Sequence, residues 1–445
     1  MKLTRRSFVG MTTALAFAAG SPDWKSRATE ILARIKPPQF PNRDFDILKY
    51  GAQPNANSSR AIAQAIDACS SAGGGRVVIP RGVFLTGPIH LKTNVNLHLS
   101  EGATLKFSTD RKDFPTVFTR FEGVECMNYS PLIYAFEQSN IAVTGPGTLD
   151  GQANRENWWV SKTKGQDDRV RLFDMAAKNL PVSERVFGQG HDLRPNFIQP
   201  YRCQNVLIEG VTILNSPMWE IHPVLSNNVT VRDVSISTHG PNNDGCDPEC
   251  CRDVHISGCT FDTGDDCIAI KAGRDHDGRR VNTPCENLVI ENCTMKDGHG
   301  GVSLGSEVSG GIRNVIVRDC QMSSPNLDRA LRIKTNSYRG GVIENIAFHN
   351  VTVGVVKNDV IQLDYYYDKD PGGPYPPVFR NIDIGEVTSQ KAVYALNFRG
   401  YPSDPIVDVR VSHCRFNNAS KGDLIENVKG LVLDDVLVNG QPLKA

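Results

Sequence analysis

A nine-residue pattern recurs nine times in the second half of the chain and restricts the fold more than any other feature. The copies begin at Asn205, Asn228, Asp253, Asn287, Asn314, Asn345, Asn381, Asp408 and Gly430, at intervals of 22 to 36 residues. They read NVLIEGVTI, NVTVRDVSI, DVHISGCTF, NLVIENCTM, NVIVRDCQM, NIAFHNVTV, NIDIGEVTS, DVRVSHCRF and GLVLDDVLV. β-Branched residues alternate at period two, and a Gly or polar residue turns the pattern midway. Between copies there is no helical periodicity, only short apolar alternations such as Cys267–Lys271, Val302–Gly305 and Leu331–Lys334. Strands this short, without hairpin turns, cannot bury an apolar face alone, but stacked coil on coil they can. The expected fold is an all-β solenoid of parallel strands, each coil of roughly 22–25 residues lying about 4.8 Å from the next.

Two columns of the pattern carry further information. The first position is Asn or Asp in eight of nine copies, and an amide there can hydrogen-bond its counterpart one coil away, as in stacked cross-β assemblies. The seventh position alternates Val with Cys259, Cys293, Cys320 and Cys414, which marks those thiols as core-filling groups. Stacking still allows a bridge among Cys259, Cys293 and Cys320. Cys250 and Cys251 lie in a loop and are the better disulfide candidates among the 12 cysteines. None has the paired spacing of a zinc site.

The ends of the chain have their own signals. Lys2, Arg5 and Arg6 precede an apolar run from Phe8 to Ala19, too short to span a bilayer. Thr4-Arg5-Arg6-Ser7-Phe8-Val9 fits a twin-arginine export signal over residues 1–20, with Ala16-Phe17-Ala18 as a cleavage site. A periplasmic or extracellular protein is expected, without membrane contact in its mature form. The solenoid should occupy 40–445, with opening strands at Val77–Ile79 and Val95–Leu99 and an amphipathic helix over Ala61–Cys69 capping its apolar end. Residues 151–200, with Trp158, Trp159 and Pro181, lack strand alternation and read as an insertion over one end of a cleft. Lys plus Arg (49) balances Asp plus Glu (49), which argues against a nucleic-acid partner. A capped solenoid has no need to associate, so a monomer is expected.

Four polar motifs sit on successive repeats: Asn242-Asn243-Asp244, Gly264-Asp265-Asp266, Gly298-His299-Gly300 and Arg332-Ile333-Lys334. Setting Cys246 against Cys267 brings Asp244 opposite Asp265. Matching Ile268 and Ile270 with Val302 and Leu304, and these with Leu331 and Ile333, puts His299 level with Asp265. Ala269, Ser303 and Arg332 then share one outward row, and Lys271, Gly305 and Lys334 the next. Two carboxylates about 5 Å apart cannot ionise independently, so one keeps a proton that it can deliver to a glycosidic oxygen. The others can orient and deprotonate a water at the anomeric carbon. Arg332 and Lys334 can hold a substrate carboxylate. An Asp pair in a Gly-flanked turn is usually only a turn former; all four motifs on one face is a much rarer coincidence. The chemistry indicated is acid/base cleavage of an acidic polysaccharide.

The four motifs, in this order, resemble those of glycoside hydrolase family 28, the polygalacturonases, from about Asp44 to the carboxyl end. The resemblance implies a right-handed parallel β-helix of the pectin-lyase-like type. It also implies hydrolysis of α-1,4-galacturonosyl bonds of pectin with inversion, without metal or cofactor. Asp265 is similar to the family's general acid; Asp244 and Asp266 would activate the water, His299 would support the acid, and Arg332 and Lys334 would bind the galacturonate carboxylate. A tyrosine beside that subsite is matched by Tyr365, with Tyr366 and Tyr367 as alternatives. Asn243 stands where the family usually has threonine, and stacked coils bring the carboxylates closer than inverting enzymes generally do. Inversion is therefore an implication of the family and not of geometry. Rhamnogalacturonan-type relatives typically alter the His and Arg-Ile-Lys motifs, which are intact here.

Arg194, Trp158 and Trp159 are candidates to close the non-reducing side of the cleft and make the enzyme exo-acting; Trp219 is either a sugar platform or a core residue. Two other functions fit a β-helix. One is a Ca²⁺-dependent pectate-lyase-like β-eliminase with an Arg or Lys base. The other is a non-catalytic polysaccharide-binding solenoid.

Overall fold

The computed structural model describes residues 23–369 and 372–444; the expected export signal at 1–20 lies outside them. The nine copies form one parallel ladder. Val206, Val229, Val254, Leu288, Val315, Ile346, Ile382 and Val409 lie in register from coil to coil and are buried. Two further strand faces complete each coil. One runs through Thr212–Leu214, Ser235–Thr238 and Thr260–Thr263. The other runs through Ile268–Ile270, Val302–Leu304, Arg329–Lys334 and Asp359–Asp364. All three faces point their apolar side chains at one continuous core, as parallel sheets require. This is a parallel β-helix.

The repeat's two polar columns have a backbone cause. Every first-position residue, from Asn205 to Gly430, has positive φ, between 54° and 69°. Every sixth-position residue is also left-handed: Gly210, Asp233, Gly258, Asn292, Asp319, Asn350, Glu386, His413 and Asp435. Asn, Asp and Gly tolerate that region best, so they mark the two bends flanking the strand. The first column forms the expected ladder: Asn228 donates to Asn205 (2.7 Å), Asn314 to Asn287 (3.0 Å) and Asn345 to Asn314 (3.1 Å).

Asp253 accepts from Asn287 (3.1 Å) but cannot donate to Asn228, and a helix that the repeat does not foretell fills that gap. Helix α1 (Trp24–Arg34) lies outside the solenoid. Arg34 donates to Asp253 Oδ1 (2.8 Å), and Asn228 exchanges hydrogen bonds with the backbone of Lys36 (2.9 and 2.7 Å). Its apolar side, Ala28 and Ile31, covers Val289, Ile316 and Ala347 on three successive strands. The expected cap is helix α2 (Ser59–Ser71), whose Ala61, Ile62, Ala65, Ile66 and Cys69 are buried on the first coils.

All twelve cysteines are buried and free. Cys259, Cys293 and Cys320 fill the core unbridged, and Cys250 and Cys251 are not disulfides either. Cys250 sits in a left-handed bend (φ 54°) just before the strand and faces Arg120 (3.5 Å), whereas Cys251 Sγ faces the Pro223 carbonyl inside (3.2 Å), so neither thiol meets another.

Residues 151–200 carry helices α3 (Ser161–Lys164) and α4 (Gln166–Ala177). Leu172 and Ala176 pack on an antiparallel hairpin, Thr116–Phe121 with Val124–Tyr129, that the repeat gave no sign of. Together they wall one end of an outward cleft.

Candidate active site

The cleft lies on the third strand face, where the backbone register decides which carboxyls meet. Cys246 pairs with Ile268, not Cys267, so Asp244 stands opposite Asp266 rather than Asp265. Cys267 and Ile268 are both apolar and both buried, and an apolar alternation alone cannot separate the two registers. One coil further the expected alignment holds: Ile268 pairs with Val302, Ser303 with Arg332 and Leu304 with Ile333. His299 is then level with Asp265, donating its N–H to the Asp265 carbonyl (3.0 Å). Despite the shift, oxygens of Asp244, Asp265 and Asp266 all lie within 4.8 Å of one another.

The three carboxyls sit in different fields. Burial opposes ionisation of Asp266, but Lys334, Arg332 and Lys271 overcome it and hold its pKa far below the usual carboxylate range. Lys334 Nζ lies 2.7 Å from Asp266 Oδ2, and Arg332 3.8 Å from Oδ1. Asp244 is driven the other way, well above its ordinary value, by burial and then by Asp247 and Asp265. His299 Nδ1 is 2.8 Å from Asp265 Oδ1, and that hydrogen bond raises the imidazole pKa against its partial burial. Asp266, held ionised, has the state a base needs, whereas a proton is shared more readily among the remaining carboxyls. Three carboxylates this close could also chelate a cation; here three protein cations already surround Asp266.

Asn243, the departure from the family pattern, is buried and fully bonded. Its Oδ1 accepts from Thr238 Oγ1 and Gly240 N (both 2.6 Å), and its Nδ2 donates to the Ser216 and Met218 carbonyls (both 3.0 Å). It ties the Asp244 turn to the preceding coil and leaves the cleft untouched.

Tyr365 does not face the cleft. Its side chain is wholly buried, and its hydroxyl accepts from Phe379 N (2.7 Å). The strand ends at Asp364, so the chain leaves the ladder with Tyr365 still pointing inward. Tyr367 is the ring in the cleft, 5.7 Å from the Arg332 guanidinium and 5.4 Å from Lys334 Nζ.

The wall residues also sort differently from expectation. Trp158 is buried edge-on to Phe114 and Tyr129, and Trp159 donates to the Ser216 carbonyl (2.9 Å). Arg194 is buried and donates to Pro217 O, Pro241 O and Asn242 Oδ1, bracing the Asp244 turn. The insertion side chains that do line the cleft are Lys162 and Arg169. Lys162 Nζ donates to Asn242 Oδ1 (2.7 Å), and Arg169 pairs with Glu122 (2.7 Å). Trp219 is nearly buried and lies under Lys271 (4.3 Å). Lys271, Arg274 and Glu307 were not singled out from sequence. The signal was present for Lys271, which falls on the same outward row as Lys334. The cleft holds about 420 Å³.

The model of the glycosyl hydrolases family 28 matches residues 69–433. A crystal structure of a hyperthermoactive exopolygalacturonase from Thermotoga maritima is 44% identical and superposes with a TM-score of 0.91, covering 94% of this chain and 97% of that one. An endo-polygalacturonase of Pectobacterium carotovorum subsp. carotovorum is 29% identical over 87% of this chain and 88% of its own length. A polygalacturonase of Nicotiana tabacum is 28% identical over 86% and 88%.

Proposed function

Because the chain belongs to glycosyl hydrolase family 28, we propose that it hydrolyses α-1,4-galacturonosyl bonds of pectin-derived polygalacturonate, releasing sugars from the non-reducing end. The observation that carries this reading is the convergence of Asp244, Asp265 and Asp266 within 4.8 Å beside Arg332 and Lys334. In it Asp265 gives a proton to the leaving oxygen, with His299 across a 2.8 Å hydrogen bond to hold the carboxyl in place. Asp244 and Asp266 orient water at the anomeric carbon and take its proton. Arg332 and Lys334 grip the substrate carboxylate over Tyr367. Inversion is taken from the family, since carboxyls this close leave less room than the usual inverting pair.

Exo action is supported by the wall that α3 and α4 raise at the Asp244 end, with Lys162 and Arg169 facing inward, and by the kinship to an exopolygalacturonase. Export and a monomeric state belong to the same proposal; export rests on Arg5, Arg6 and the apolar run after them. Digestion of defined oligogalacturonides with product sizing tests the whole reading. Monogalacturonate should appear from the first minutes, whereas an early ladder of mixed oligomers would rule out exo action. Activity should survive EDTA without ultraviolet-absorbing unsaturated product; the opposite result would establish the Ca²⁺-dependent eliminase.

A further inference from the structure

Behind Asp244 lies a buried charge cluster that belongs to none of the four motifs. Asp247, on the same coil, is fully buried, and neither of its oxygens has a hydrogen-bond partner among the described residues. Lys271, on the next coil, is almost fully buried and rests on the face of Trp219 (4.3 Å). Its Nζ is 3.6 Å from Asp244, 3.5 Å from Asp247 and 3.4 Å from Glu307. A buried ammonium shared by three carboxyls, two of them otherwise short of donors, cannot satisfy all three as anions. Glu307 has another cation, Arg274 (3.1 Å). Among the described residues Asp247 has only Lys271 within ion-pair distance.

We propose that Lys271 and Asp247 are positioning residues that set the proton occupancy of Asp244: the ammonium favours its ionised form against burial and the neighbouring carboxyls, and a proton held on Asp247 spares it the field of a second buried anion. The inference rests on Asp244 acting as a base, which requires it to be deprotonated when water arrives. Every group facing Asp244 bears on this balance. Asp247 lies on its own coil, Asp265, Asp266 and Lys271 on the next, and Arg194 reaches toward it from the insertion. Glu220, fully buried on the preceding coil, adds to the negative field at Asp247. Burial and these carboxyls push both Asp244 and Asp247 upward, and Lys271 is the opposing cation acting on both. Removing Lys271 should therefore raise the pH at which Asp244 ionises, and removing the Asp247 carboxyl should lower it.

The test is the pH profile of kcat/KM on trigalacturonate for the wild-type enzyme and the Lys271→Met, Lys271→Arg and Asp247→Asn variants. The acid limb should move up by about one pH unit in Lys271→Met, stay near the wild type in Lys271→Arg, and move down in Asp247→Asn. KM should change less than about threefold in each case, because neither residue is assigned to the sugar. Acid limbs that coincide with the wild type in Asp247→Asn and Lys271→Met would overturn the proposal while leaving the hydrolase reading intact. So would a KM rise confined to Lys271→Met, which would make the ammonium a substrate ligand. Should Lys271→Met not fold, Asp247→Asn decides alone, its downward shift supporting the pair and its absence refuting it. A wild-type enzyme inert on every oligogalacturonide would overturn both readings.

Discussion

His299 Nδ1 and Asp265 Oδ1 face each other at 2.8 Å across adjacent coils. The imidazole gains this partner only in the folded state, so its folded pKa lies above its unfolded one. Stability from the pair is thus fully present below the unfolded value, near 6.5, and is lost as pH rises through the folded value. His299→Gln should lower Tm more at pH 5.5 than at pH 8.5, measured by parallel thermal melts. The imidazole is half exposed, so the difference should be small. Equal losses at both pH values would contradict the pairing.

Asp265→Asn and Asp266→Asn should separate catalysis from stability. Each should cut kcat by about 10³-fold or more. Asp266 is buried against Lys334 and Arg332, so losing its charge should also cost about 3 kcal/mol, the usual result of breaking a buried pair. Asp265→Asn leaves no buried cation unpaired and should unfold close to the wild type. Reducing-sugar release and chemical denaturation would check both effects.

Tyrosines two residues apart should behave in opposite ways. Tyr367→Ala removes the ring beside Arg332 and Lys334 and should raise KM about tenfold, with little change in the melting curve. Tyr365→Phe removes the acceptor for Phe379 N–H and should cost about 1–2 kcal/mol of stability. Its kinetics at 25 °C should match the wild type. A KM effect in Tyr365→Phe would reverse the assignment.

Asn314 should resist replacement for two reasons, its left-handed backbone (φ 56°) and its place in the amide ladder. Asn314→Ala loses both and should cost about 2 kcal/mol. Asn314→Gly keeps the backbone freedom and should cost less. Denaturant titration of the two variants would show the order, and equal costs would remove the backbone argument.

The anomeric outcome tests the family assignment most directly. Inverting hydrolysis of an α-linkage gives the β-anomer first. Proton NMR within the first minutes of digestion should show it accumulating before mutarotation.

Period and column identity made the solenoid legible. Valine at the second position and Asn or Asp at the first recur because a rung's inward side chain and its left-handed bend are local demands. The sixth-position bends were equally legible in Gly210, Asp233, Gly258 and Asn292, yet they passed as generic turn residues. Three features were beyond pattern. The one-residue slip at Cys246 depends on bend geometry between coils, and the choice among Tyr365, Tyr366 and Tyr367 depends on where a strand stops. Lys271 sits on an outward row, and its burial over Trp219 among Asp244, Asp247 and Glu307 is set by residues of other coils. Helix α1 left a faint trace in Val289, Ile316 and Ala347, apolar residues at an outward position in three consecutive copies.

That helix has a consequence for how the chain matures. The ladder strands pair only with those of neighbouring coils, so a polypeptide made from its amino end can stack them as they emerge, whereas the hairpin must wait for Glu249 and the insertion for Asp277. Arg34 has no berth until Asp253 exists, nor Ile31 until Ile316 does. The earliest described segment is therefore among the last to settle, and it docks on the coils that hold Asp244 and Asp265 and on the three that follow.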